Sequence, residues 1–363
     1  MTNGTFMLGE LGERRIVDEL IAPRFHSSPP ILLGIGDDGA VIMPPPGELI
    51  VVTTDPCPTP VVCMLEGEDF AHYGRMTALI NVSDLGAMGA RPLGLLVSTV
   101  MREDMPTSKY ERFLDSLAEA CSEWGCPVIG GNIKDGTCFT ATGMAIGAVK
   151  PDCLMRRTGS QEGDSVVVIG DLGLFWAAVL TRLFPDACPA FPERDVLDKA
   201  LYQPEPKGRQ GVALGEAHLL SACMDSSDGV FACLREISLL NGVDIVVDAS
   251  SLRVHSAVLS VAHSTKIDPE KLALAWGDWQ LVGTASRSSC LELERVLRPF
   301  GTPYHIIGKV QCGSGKVWLR TEAGQLGVVS NLASERFSRA SMFTHGLDGY
   351  VEILRTAPLC TFE

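Results

Sequence analysis

Runs of β-branched residues and runs with helical spacing take turns along this chain, and that alternation restricts the available folds more than any other feature. "ELIVVTTD" (Glu48 to Asp55), "RPLGLLVSTVM", "CPVIGG" and "FTATGMAIGAV" predict strands within the first 150 residues. Between them "SKYERFLDSLAEACSEWG" predicts an amphipathic helix, because Tyr110, Phe113, Leu114, Leu117, Cys121 and Trp124 recur at intervals of three and four. Ser108 with Glu111 reads as a capping box at its start, and Gly125 as its end. "GRMTALINVSDLGAMGARP" predicts a second helix, rich in small residues and so able to lie close to a sheet or a ligand. Leu79, Val82, Leu85 and Met88 are its core positions.

Polarity rises and turn residues cluster in "KPDCLMRRTGSQEGD" (Lys150 to Asp164), which sets the expected boundary between a domain over 1–150 and one over 151–330. Beyond it "SVVVIG", "VDIVVDA", "LVGTA" and "YHIIGKV" predict strands, alternating with helices such as "SDGVFACLREISLLNG". The segment "FPDACPAFPERD" reads as a proline-rich surface excursion, and 331–363 as a weakly patterned tail. At 363 residues the chain exceeds the size at which one core usually keeps growing. The expectation is two α/β (α+β) domains in series.

A net charge of −14 argues against a nucleic-acid backbone or an anionic membrane as partner. Twelve cysteines show no C-x-x-C pair and no zinc-ligand spacing with histidine, and Cys121, Cys223 and Cys233 read as small core residues. The opening "MTNGTFMLGELGERR" lacks a hydrophobic signal segment, and no window approaches about 18 uninterrupted apolar residues. The expectation is a cytoplasmic protein with free thiols.

Four acidic turns share one design. "GIGDDGAVI" carries Asp37 and Asp38; "VVTTD" carries Thr53, Thr54 and Asp55; "NVSDLGAMG" carries Asn81, Ser83 and Asp84; "MDSSDG" carries Asp225, Ser227 and Asp228. Singly, each is an ordinary turn or cap. Together they differ from structural carboxylates, which more often come with Lys or Arg, because here Gly, Ser and Thr flank the acids. Acids gathered without cations point to a bound metal that supplies the positive charge. Mg²⁺ takes a few carboxylates plus phosphate oxygens, and phosphoryl transfer needs such acids more than it needs a strong base. Glycines in "IGDDG" and "VIGGN" let backbone N–H groups approach a phosphate. The sequence holds no G-x-x-x-x-G-K-S/T loop and no G-x-S-x-G elbow, and "GIGDDG" carries acids where a strand-linked G-x-G-x-x-G needs neutral residues.

In order, "GIGDDGAVI", "VVTTD", "ALINVSDLGAMGARP", "VIGGN", "RRTG" with "EGD", "DSSDG" and "GDWQL" resemble the thiamine-monophosphate kinase family. That family lies in the superfamily of aminoimidazole ribonucleotide synthetase, selenophosphate synthetase and a hydrogenase maturation factor. The resemblance runs from about residue 8 to about residue 320. It implies an N-terminal α/β domain whose strands form a β-barrel with a second subunit, hence a homodimer. It further implies a C-terminal α/β sandwich domain, and ATP with Mg²⁺ as cofactors. Carried over by position, Asp38, Asp55, Asp84, Asp225 and Asp228 are implied metal ligands. Thr53, Thr54, Gly131, Asn132 and Ser227 are implied nucleotide or metal contacts, with Arg157 on the phosphates. Asp225, Asp228 and Arg157 are the implied catalytic residues.

The resemblance departs in places. Asn132 stands where the family has Asp after paired glycines, with Asp135 three residues on. The stretch "PCPTPVVCMLEGEDF" has no counterpart of the family's substrate-binding His, and none follows before His72. "WGDWQL" replaces Gly-Gly-Glu-Asp-Tyr-Glu-Leu, keeping Asp278 and an aromatic at Trp279. Asp278, Trp279 and Tyr350 are the candidate acceptor residues, with Trp276 a further stacking ring. The ATP half is kept and the acceptor half altered. Three functions stay open: a small-molecule kinase, an enzyme that activates an amide or carbonyl oxygen by phosphorylation before ligation, cyclisation or dehydration, and a non-catalytic nucleotide-binding protein.

Overall fold

The structure is a computed structural model that describes residues 6–26, 30–35, 39–188, 193–329 and 342–362. It divides into two compact units, one of residues 1–85 with 90–151 and one of residues 86–89 with 152–363.

The first unit is built on a four-stranded sheet of β1 (Leu49–Pro56), β2 (Arg91–Met101), β3 (Val128–Asp135) and β4 (Thr140–Val149), in the order β1-β4-β2-β3. Only β2 and β3 run parallel. Helices α1 (Phe70–Ala87) and α2 (Thr107–Trp124) carry its apolar core. Leu79, Val82 and Leu85 of α1 are buried, and so are Tyr110, Phe113, Leu114, Leu117, Cys121 and Trp124 of α2, as three-and-four spacing requires. Phe139 meets Phe70, Tyr73 and Phe113 edge-on at ring separations of 4.9, 5.5 and 5.3 Å. Gly125 ends α2 in the left-handed conformation (φ 67°). The expected Ser108–Glu111 capping box does not form. The helix begins at Thr107 with Pro106 at the N-cap, so Ser108 already has helical backbone inside the first turn and cannot cap; the Thr107 N–H donates to Phe6 O at 2.8 Å.

Helix α1 lies unusually near its neighbours. A Cβ on Gly74 would fall 2.2 Å from Phe113 O, and one on Gly143 of β4 would fall 2.2 Å from Asn81 Nδ2. The opposite face of the sheet keeps apolar side chains in the open: Ile50 is 46% exposed, Val52 58% and Met144 39%. Among the described residues these four strands form an open sheet rather than a closed barrel.

The second unit holds an eight-stranded sheet. Its strands are β5 (Ser165–Ile169), β6 (Ala222–Asp225), β7 (Val243–Asp248), β8 (Leu281–Ala285), β9 (Tyr304–Cys312), β10 (Val317–Arg320), β11 (Leu326–Val329) and β12 (Cys360–Thr361). The order is β12-β11-β10-β7-β9-β5-β8-β6, antiparallel except for β10 on β7. β5 is central, so the run "SVVVI" is apolar without alternation. Val166 and Val168 enter one core with Phe231, Leu234 and Ile237. Val167 and Ile169 enter another with Leu214, Leu293 and Leu297.

The tail was the least patterned stretch, yet Met342–Thr356 is a helix, α6, interrupted at Gly346 (φ 69°). Its Tyr350, Val351 and Leu354 are buried. All twelve cysteines are free thiols, and Cys121, Cys223 and Cys233 lie in the core. No helix among the described residues is long and apolar enough to cross a membrane.

Candidate functional site

In the first unit the site grows from strand alternation. Thr53 and Asp55 are two residues apart on β1 and share the face turned to α1. Asp84 on α1 accepts a hydrogen bond from Thr53 Oγ1 at 2.5 Å. Asn81, one turn back on the same helix face, is fully buried; its Nδ2 donates to Thr77 O at 2.9 Å. Among the described residues no donor reaches its Oδ1, a buried carbonyl oxygen that ordinarily finds a partner. Thr53 is thus joined to Asp84, and Asn81 presses on Gly143, the residue paired with Asp55, so the donors on this face are a hydroxyl, carboxylates and an amide oxygen. This all-oxygen donor set fits Mg²⁺.

Thr54 is not brought to that group. Alternation turns it to the opposite face, where its hydroxyl donates to Gly143 O at 2.8 Å. There it lines a cleft of about 740 Å³ with Gly39, Ala40, Ser98, Gly131, Asn132 and Met144. Gly131 can only be glycine, since a Cβ would sit 1.8 Å from Val97 O. Asn132 is exposed, and a second hollow holds it together with Asp135. Asp38 lies outside the described residues.

In the second unit, three loops meet at one end of the sheet: 170–173 after β5, 225–229 at the end of β6, and 276–280 before β8. Gln280, fully buried, joins them. Its backbone N–H donates to Ser226 Oγ at 2.8 Å, its side-chain oxygen accepts from Ser226 Oγ, and its Nε2 donates to Asp171 O at 2.8 Å. Asp225 is buried and Ser227 Oγ stands 3.5 Å from its Oδ1; Asp228 is exposed, one residue before the Gly229 that opens helix α5 (Val230–Asn241). The buried Cys233 thiol donates to Asp225 O at 3.0 Å. Burial, then the carboxylates of Asp225 and Asp228, push this thiol up, and the charge of Arg157 opposes them. The backbone beside Arg157 is fixed by Asn241, whose Nδ2 donates to Arg157 O and whose Oδ1 accepts from the N–H groups of Gly159 and Ser160.

The candidate acceptor residues need correction. Tyr350 is fully buried, its ring 4.7 Å from that of Trp176 and 6.2 Å from that of Trp276. Trp279 is only 8% exposed and holds a left-handed backbone (φ 53°). Neither offers a face to a ligand; both are core. The Asp278 carboxylate accepts from Gly173 and Phe175 N–H at 2.7 Å each, which shapes the loop that starts helix α3 (Leu174–Leu183).

Sequence reasoning missed Gln280, Asn241 and Lys207. Gln280 sat inside the quoted "GDWQL" block. Asn241 precedes the Gly that ends its helix. Lys207, in the apparently plain turn "QPEPKG", donates to Glu205 O at 3.0 Å, and burial lowers its pKa although Glu205, Asp171 and Asp278 raise it.

The model of the AIR synthase-related N-terminal domain matches residues 36–149. Thiamine-monophosphate kinase of Synechococcus elongatus is 30% identical over 60% of this chain and 68% of its own length. Carbamoyl dehydratase HypE of Cupriavidus necator is 26% identical over 90% of each chain. The solved structure of AaThiL complexed with AMPPCP and TMP superposes with a TM-score of 0.64 at 27% identity, covering 87% of this chain and 95% of that one. The fold is that of the AIR synthase-related superfamily. Within it, the chain belongs to the thiamine-monophosphate kinase family.

Burial first of all pushes the Asp278 carboxyl up to about 7, against the pull of its two N–H donors. A folded-state value above the unfolded one of about 3.9 means that the native state keeps a proton the unfolded chain has released. This contribution to stability is complete below about pH 4 and is lost as pH rises through about 7. Unfolding by denaturant should therefore show wild type losing ground to Asp278→Asn between about pH 5 and pH 8. Parallel pH profiles for the two proteins would refute the assignment.

Proposed function

We propose that the protein is an ATP- and Mg²⁺-dependent phosphotransferase acting on a small molecule. The observation that carries this reading is the Thr53–Asp84 hydrogen bond on the strand face that Asp55 shares, with the buried Asn81 amide oxygen one helical turn away and without a donor among the described residues. Family membership supplies the chemistry that such donors serve. Asp55 and Asp84 are proposed metal ligands within the first unit, and Asp225 and Asp228 within the second, each pair taken by itself; Asp38 keeps the role the resemblance implies. When bound, Mg²⁺ neutralises charge on the oxygens of the moving phosphoryl group. Arg157 adds fixed positive charge, and the N–H groups of the glycines at 130 and 131 line the nucleotide cleft. Gln280 holds the 225–229 loop in shape, so Asp225 is presented without reorganisation.

A second reading rests on coverage. The carbamoyl dehydratase relative spans 90% of both chains, more than the kinase relative does. In that reading the phosphate placed on an amide or carbonyl oxygen departs as the product dehydrates. The replaced acceptor features, with Trp279 and Tyr350 buried, leave thiamine monophosphate as one acceptor among several to test.

Incubation with Mg²⁺–ATP and a panel headed by thiamine monophosphate, followed by mass analysis, distinguishes the readings. ADP with a phosphorylated acceptor is the expected result; ADP with free phosphate and a dehydrated product selects the second reading. Nucleotide binding with no ADP from any acceptor would mark a non-catalytic protein. In the active assay Asp84→Asn and Asp225→Asn should each lower ADP formation by about 100-fold or more with unchanged thermal unfolding. Normal turnover in either variant contradicts the metal assignment.

We also propose that the open apolar face of the four-stranded sheet, with Ile50, Val52 and Met144, is covered by a second copy of the chain. Sedimentation velocity should show a dimer that Val52→Asp with Met144→Glu converts to folded monomer. A monomeric wild type, or a dimer indifferent to both changes, rules this out.

A further inference from the structure

Three residues outside the proposed nucleotide site bring together three different donors. Asp152 and Cys153 end a 3₁₀ turn over Pro151–Cys153, and His218 follows helix α4 (Gly208–Glu216). One oxygen of Asp152, the Cys153 sulfur and an imidazole nitrogen of His218 all lie within 4.8 Å of one another. Asp152 Oδ1 is 3.7 Å from Cys153 Sγ, and Asp152 Oδ2 is 4.0 Å from His218 Nε2.

The thiol donates weakly to Asp152 Oδ1, and the Asp152–His218 contact is beyond hydrogen-bond length, an ion pair only when the imidazole is protonated. Four tetrahedral ligands at Zn²⁺ bond lengths stand roughly 3.4–3.7 Å apart, so donors within 4.8 Å of one another close on an ion by side-chain shifts of about an ångström. A thiolate with an imidazole selects a borderline or soft divalent ion and disfavours Mg²⁺, which prefers oxygen. The thiol is buried, while His218 and Asp152 are exposed. Three protein donors under a solvent-facing opening leave the fourth position to water.

The backbone around the donors is tightly held. A Cβ on Gly89 would fall 2.9 Å from Cys153 O, and one on Gly215 would fall 2.6 Å from the same atom, so the turn is seated between two glycines. Gly215 O also accepts the His218 N–H at 3.0 Å, and His218 holds a left-handed backbone (φ 52°), which His adopts more readily than most residues. One short stretch of chain therefore fixes both sides of the group.

We infer that Asp152, Cys153 and His218 form a binding site for a divalent transition-metal ion of the Zn²⁺ class, which ties the 151–153 turn to the turn after α4. This is independent of the phosphotransferase reading.

The test uses the full chain, reduced and stripped of metal with a chelator, and titrated with Co²⁺. One equivalent should produce a thiolate-to-cobalt charge-transfer band in the near ultraviolet, which Zn²⁺ then displaces. Cys153→Ser should abolish the band. His218→Asn, which tolerates the same backbone conformation, should weaken Co²⁺ binding by about 10-fold or more, and Zn²⁺ should raise the unfolding temperature of wild type but not of this variant. Absence of a band, or a band that survives in Cys153→Ser and so arises from an exposed thiol such as Cys138 or Cys312, overturns the assignment.

Discussion

How closely helix α1 can approach the four-stranded sheet decides what the first unit can hold. Gly143 has no Cβ because Asn81 Nδ2 stands 2.2 Å from where one would be, and at Gly147 the same approach puts Leu85 Cδ2 2.9 Å away. At ordinary helix-on-sheet spacing, Asp84 would not reach Thr53 and Asn81 would not press against the strand beside Asp55. On its other side Gly74 brings α1 against the backbone of α2 at Phe113. The small residues that make "GRMTALINVSDLGAMGARP" a poor amphipathic helix are what let it sit there. Thr77, Asn81 and Ser83 on this helix are buried, where polar groups need partners.

The second unit obtains the same rigidity by hydrogen bonding. Gln280 binds two neighbouring loops through one side chain, and Asp278 spends both oxygens on the backbone that begins α3. Removing a buried hub of this kind strands its partners, at about 1–3 kcal/mol for each group left unsatisfied. Asn241 holds the loop after Arg157 in the same manner. Gln280 and Asn241 fix the backbone beside Asp225 and Arg157, and Asp278 fixes the loop that begins α3.

Elements whose signal is periodic were readable from the sequence: β1, β2, β4, the amphipathic α2 and the continuous valine run of β5 all fall where spacing puts them. Motif residues were readable as chemistry, and the Thr53–Asp84 bond joins two of the quoted turns. What escaped depends on distant partners. The capping box fails because the helix starts a residue early, at Thr107, whose N–H finds its partner in Phe6 O a hundred residues back. Trp279 and Tyr350 read as rings available for stacking, since an aromatic carries no mark of whether a helix from the chain's end will cover it. Helix α6 was hidden by Gly346, and Gln280 by the plainness of glutamine.

The account turns on whether the oxygen donors of the first unit take a metal with its nucleotide. Calorimetric titration of the full chain with a non-hydrolysable ATP analogue, with Mg²⁺ and then with excess chelator, measures this directly. Saturable binding that requires the cation, and that weakens by about 10-fold or more in Asp55→Asn, is the predicted outcome. Binding of equal strength without the cation, or unchanged by that substitution, would contradict it.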